Sequence, residues 1–365
     1  MILFSCARIK IQQQKLNFAP ASNWEMGAGN PERTNLYPGA IELPLRLKWH
    51  LSATANIDKA ILVSDGMILF TTMDGKIFAY FIDNNKKIGH IKTDHSATIA
   101  LRDSTLFIAQ RYGEETLFSY DLKRGKINWK INAGDIFSEP LILDSGIVVS
   151  ALYNHIDYYH LPNGESIWQF KTKKQIRSSP ASDGERIIFG CDDGFLYALQ
   201  KKNGKLLWEF NVDGSVQATP VISENFVYVG STNHLFCAIN LLTGKLEWEF
   251  SANGQILNAA AVADSIVVFG STDAFLYCLN RFTGKLLWTF QAKSVIGTSP
   301  LICGDKIFVG SLDHHLYALD KSSGVELWKF DAKGRIHSAP VVWGNYLILA
   351  AEDDKLYVFE SATGK

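Results

Sequence analysis

Residues 296–330 read IGTSPLICGDKIFVGSLDHHLYALDKSSGVELWKF. The apolar positions fall into four short runs, SPLIC, KIFVGS, HLYALD and VELWKF, broken by GD, LDH and KSSG. Runs rich in Val, Ile, Phe, Tyr and Leu between Gly, Asp and Ser predict strands joined by tight turns. None carries the three-and-four spacing of an amphipathic helix, and none is long enough for one.

The same pattern recurs along the chain, and Trp sets its period. Trp129, Trp168, Trp208, Trp248, Trp288 and Trp328 are separated by 39, 40, 40, 40 and 40 residues, and Trp49 lies 80 before Trp129. One Trp is lost, near Gly89 in NNKKIGH. Four strands per 40 residues is the unit of a β-propeller blade and excludes helical repeat arrays. Eight units begin near residues 57, 97, 137, 177, 217, 257, 296 and 336. The last stops at SATGK, short of its Trp, whereas LRLKWHLSA supplies a Trp-bearing strand with no unit before it. Ring closure requires that pairing. The fold class is therefore all-β, an eight-bladed propeller of four-stranded antiparallel blades. The strand around Trp49 completes the last blade and removes the open edges of a linear array.

Within the unit, Gly284 supplies the positive-φ position of the turn before the outermost strand. The Trp on that strand fills the wedge between blades, so Trp49, Trp129, Trp168, Trp208, Trp248, Trp288 and Trp328 are read as blade-docking residues. Pro140, Pro180, Pro220, Pro300 and Pro340 mark the start of innermost strands, where a missing N–H breaks no ladder bond. Paired acids such as Asp192–Asp193 and Asp353–Asp354 read as hairpin formers.

Composition narrows the partners. A chain of 365 residues that is 47% hydrophobic can bury a large core, and a net charge of −1 with interspersed signs leaves no surface for nucleic acid. No apolar run approaches a bilayer span. The five Cys, at 6, 191, 237, 278 and 303, form no CxxC or vicinal pair, which argues against zinc, thioredoxin chemistry and a disulfide framework. No GxSxG, HExxH or P-loop is present.

The units ALDKSSGVELW, AINLLTGKLEW and CLNRFTGKLLW resemble the PQQ-type, or quinoprotein-like, β-propeller repeat over residues 45–365. That family includes quinoprotein dehydrogenases and BamB-type outer-membrane assembly lipoproteins. The dehydrogenase branch implies an adjacent Cys–Cys disulfide, a calcium or lanthanide held by oxygen ligands, and large insertions. This chain has no CC pair, no such ligand cluster and near-minimal blades. The expectation is thus no catalytic residue, no metal and no cofactor, PQQ included.

In a four-stranded meander, the loop entering the first strand and the loop joining the second and third emerge on one face. His95, His155, His234, His314, His315 and His337 fall on those segments, and Arg177, Gln217 and Asn258 sit near the entry of innermost strands, with Asp58 in the comparable place of the first unit. Asp58, Arg177, Gln217, Asn258 and His337 are the candidate contacts for a ligand or partner at the channel mouth.

The N-terminal LFSC resembles the end of a lipobox and makes Cys6 the candidate lipidation site. The apolar stretch before it, MILF, is shorter than a signal requires, so the expectation is either a start of translation further upstream or a chance match, with the first favoured. Three segments follow: 1–23 a lipoprotein-like N-terminus and tether, 24–44 an extended arm packed across the propeller through Trp24 and Tyr37, and 45–365 the propeller. Together with the resemblance, this predicts a non-enzymatic, monomeric scaffold of the bacterial cell envelope, lipid-anchored and facing the periplasm or the exterior. Its expected partner is a protein of an outer-membrane assembly complex. The alternatives are a PQQ-dependent oxidoreductase and a propeller that binds sugar or peptide at its mouth.

Overall fold

The computed structural model describes Ile9 and residues 24–361. Eight antiparallel sheets follow one another around an axis. The sixth is representative: Ala261–Ala263 innermost, then Ile266–Gly270, Phe275–Asn280 and Leu286–Gln291 outermost. The second and third strands are buried along nearly their whole length, because both faces pack on neighbouring blades. The outermost strand alternates between exposed and half-buried residues. No helix occurs among the described residues.

Closure takes the predicted form. Leu45–Ser52 pairs antiparallel with Lys355–Ser361, Trp49 lying opposite Val358, so the chain's first long strand is the outermost strand of the eighth blade. Gly89, opposite Ala79, occupies the position that Trp holds elsewhere, as Trp208 does opposite Ala198.

The recurring Trp and Gly turn out to touch. Each Trp-bearing outermost strand has a register shift beside its Trp, a bulge that re-aims the ring. The indole N–H of Trp248 then donates to the carbonyl of Arg281 in the next blade, at 2.9 Å. Trp49, Trp129, Trp168, Trp208 and Trp288 make the same bond to Ile82, Leu161, Lys201, Leu241 and Lys321. The ring lies on the turn glycine of that next blade: a Cβ at Gly284 would stand 2.6 Å from Trp248, at φ +69°. Trp328 packs edge-on against Phe359 of the last blade, with ring centroids 5.8 Å apart.

The arm takes a route that no periodicity announces. From Trp24 to Tyr37 it circles the axis along the free edges of the innermost strands. Trp24 exchanges backbone bonds with Val63 in the first blade, and Glu25 accepts from Leu101 in the second. The carbonyls of Pro31, Glu32, Thr34 and Asn35 accept the N–H groups of Ser182, Ile222, Val262 and Ile302, one per successive blade. Leu36–Tyr37 adds a short parallel strand to Leu301–Cys303, and the Tyr37 hydroxyl accepts from Gly344 N–H in the eighth blade. Edges that face the channel would otherwise leave these amides unpaired. Ile9, the one described residue of 1–23, is buried and accepts a bond from the Tyr120 hydroxyl at 3.3 Å. Cys6 lies outside the described residues.

Candidate functional site at the channel mouth

The innermost strands run from the mouth toward the arm, so the channel is a cup whose floor is built by the arm. Arg33 is the centre of that floor. Its guanidinium is fully buried, pairs with Glu139 at 3.0 Å, and donates to the carbonyls of Gly27, Pro140 and Pro180. Burial lowers its pKa and Glu139 offsets that effect. The carbonyls of Pro140 and Pro180 thus gain a function beyond marking strand starts. Asn35 completes the floor by donating to Ala260 at 2.8 Å.

Above the floor lies a cavity of about 280 Å³, continuous in its lining with a second of about 380 Å³. Asp58, Arg177, Gln217, Asn258 and His337 all line the first, and the last four also line the second. The structure therefore brings the five candidate residues to one place. Spacing made this legible, since innermost strands entering in equivalent register converge on the axis.

The charges of the cup are matched internally. Asp58, which is buried, pairs with Arg111 at 2.9 Å; Arg177 pairs with Asp192 at 2.8 Å; and His337 Nε2 lies 2.8 Å from Glu352. The neutral polar side chains behave differently. Thr219, Asn258 and Ser299 face the cavity half-buried and make no side-chain hydrogen bond among the described residues. Gln217 has one long bond, 3.3 Å to Ser215. Phe137 forms an apolar wall, with Tyr112 edge-on at 5.4 Å and the Arg111 guanidinium over its ring.

Sequence reasoning did not single out Arg111, Phe137, Thr219 or Ser299. Phe137, Thr219 and Ser299 stand at the 40-residue spacings of Arg177, Ser179 and one another, so the period held the signal. Glu139, 40 residues before Ser179, shared that spacing, whereas Arg33 had no signal, because the arm lies outside the repeat.

The other five histidines do not join the cavity. His234 and His314 occupy the positive-φ position of the turn between second and third strands, at φ 67° and 75°, in register with Asn154, Gly194 and Asp354. His155 is tied to the buried Asp157, His315 to the Asp313 backbone, and His95 packs on Tyr112. The acids of the same turns are structural: Asp193 accepts from Phe195 N–H and the Tyr197 hydroxyl, and Asp273 and Asp313 repeat the pattern. Among the described residues no group of three or more His, Cys, Asp and Glu is placed to hold a metal ion.

Comparison with known proteins places this architecture. A family model described as outer membrane protein assembly factor BamB matches residues 152–273 and 272–365. No curated protein sequence matches the chain. Among solved structures, BamB from Moraxella catarrhalis is similar at TM-score 0.74 and 19% identity, covering 87% of this chain and 100% of that one. The computationally designed Ika8 protein is similar at TM-score 0.77 and 17% identity, covering 88% and 98%. The quinohemoprotein alcohol dehydrogenase ADHIIG from Pseudomonas putida HK5 reaches TM-score 0.81 at 11% identity, covering 94% and 81%. The structural likenesses speak for the fold, and the family model, which spans more than half the chain, for descent: this chain belongs to the PQQ-like β-propeller family of the outer membrane protein assembly factor BamB.

Proposed function

We propose that the protein is a non-enzymatic interaction scaffold in the assembly of outer-membrane β-barrel proteins, held at the envelope by a lipid on Cys6. The observation that carries this reading is the match to the BamB family model, on a wheel with short, regular blades. A rigid wheel offers partners a fixed ring of loops at its mouth, which suits docking better than chemistry.

The enzymatic alternative requires the cup to hold PQQ, a planar quinone with three carboxylates, together with a divalent metal. The residues present do not fit that group. Each cation of the cup is already matched by a carboxylate, Arg33 by Glu139, Arg111 by Asp58 and Arg177 by Asp192. A tricarboxylate would have to displace those partners and leave buried charge uncompensated. The sequence also lacks the vicinal Cys pair.

Deleting the gene in its native host tests the proposal. Outer-membrane β-barrel proteins should fall in abundance, the wild-type gene should restore them, and a Cys6→Ser form should not. Unchanged barrel levels would overturn the scaffold reading, as would dye-linked alcohol oxidation by the purified protein given PQQ and calcium.

A further inference from the structure

The cup has a chemistry that a protein-docking role does not use. Its charges are consumed in pairs, while Thr219, Asn258 and Ser299, on three consecutive blades, present hydroxyl and amide groups with no side-chain hydrogen bond among the described residues. An ionic guest needs a countercharge that is free, and none of these pairs offers one. An apolar guest would bury those polar groups unsatisfied, at a cost for each. What remains is a neutral molecule dense in hydroxyl or amide groups.

Shape separates the neutral guests. An extended peptide binds by adding to a strand edge, but the innermost edges here are taken: Ser182, Ile222, Val262 and Ile302 already donate to the arm. The polar groups are instead arranged around an axis, opposite the Phe137 wall and above Arg33 and Asn35 of the arm. A sugar ring has that distribution, with hydroxyls around its rim and C–H groups on its face. The cavity, about 280 Å³, falls just below ligand sites of roughly 300–1,000 Å³, and its neighbour of about 380 Å³ adds room for a second ring. We infer that the channel mouth is a binding site for a neutral glycan of one or two sugar units, held by Thr219, Asn258 and Ser299 and backed by Phe137.

The purified protein tests this by isothermal titration calorimetry and saturation-transfer NMR with two disaccharides, N,N′-diacetylchitobiose and maltose, and with trialanine as the peptide probe. Saturable binding of at least one disaccharide is expected. The double variant Asn258→Ala, Thr219→Val should weaken it by about tenfold or more for the hydrogen bonds lost, with the melting temperature unchanged. A second variant, Phe137→Ala, should weaken it as well. The inference fails if neither disaccharide binds, if binding survives both variants undiminished, or if only trialanine binds. None of these outcomes depends on barrel assembly, so the site and the scaffold reading stand or fall separately.

Discussion

At the scale of the residue, the repeated Gly and Trp form one device. Sequence assigned Gly284 to backbone conformation alone, yet the Trp248 ring lies where its Cβ would be, and the indole donates to the same turn. That contact was hidden because it joins neighbouring repeats, whereas a motif is read within one. Gly284→Ala should therefore destabilise by about 2–4 kcal/mol in chemical denaturation, strain plus clash. Gly184 also has a positive φ, +92°, but open space around its Cβ position. Gly184→Ala should cost only the backbone part, about 1–2 kcal/mol. Equal losses would deny the ring contact.

The buried thiols make a second prediction at this scale. Burial pushes Cys191 up to about 11 and Cys237, Cys278 and Cys303 up to about 12. In the unfolded chain a thiol titrates near 8.5. Below that pH both states hold the proton and stability is unaffected. Between about 9 and 12 the unfolded chain releases protons that the folded one retains, so stability falls as pH rises, by up to about 1.4 kcal/mol per pH unit for each thiol. Denaturation at pH 7.5, 9 and 10 should show that decline, and Cys237→Ala should make it shallower. A slope identical in the variant would remove the thiol from the account.

At the scale of the element, blades were legible and the arm was not. Short apolar runs between turn residues declare strands, and a 40-residue period declares their grouping. The arm has no alternation, and it binds chiefly by carbonyl groups that every residue owns. Sequence named Trp24 and Tyr37 as its anchors, and both are buried, but the circuit between them rests mainly on backbone bonds to the innermost strands of six blades, with Arg33 meeting the third and the Tyr37 hydroxyl the eighth. Removing residues 1–38 while keeping Leu45–Ser52 should expose the amides of Ser182, Ile222, Val262 and Ile302. Hydrogen exchange should then show their protection lost, with a lower melting temperature. Protection that survives would mean the arm is not their partner.

At the scale of the molecule, the ring decides what the residues can do. Asp58 and His337 are 279 positions apart in sequence, yet line one cavity because the eighth blade abuts the first. Closure is therefore the central claim, and the most direct test is a cross-link across the seam. Arg46 and Glu360 are register partners between Leu45–Ser52 and Lys355–Ser361, and the four described native thiols are buried and held protonated. The double variant Arg46→Cys, Glu360→Cys under mild oxidation should form an intramolecular disulfide, read by intact mass and by faster migration on a non-reducing gel. A chain that stays reduced, or links only to other copies, would contradict the closed wheel.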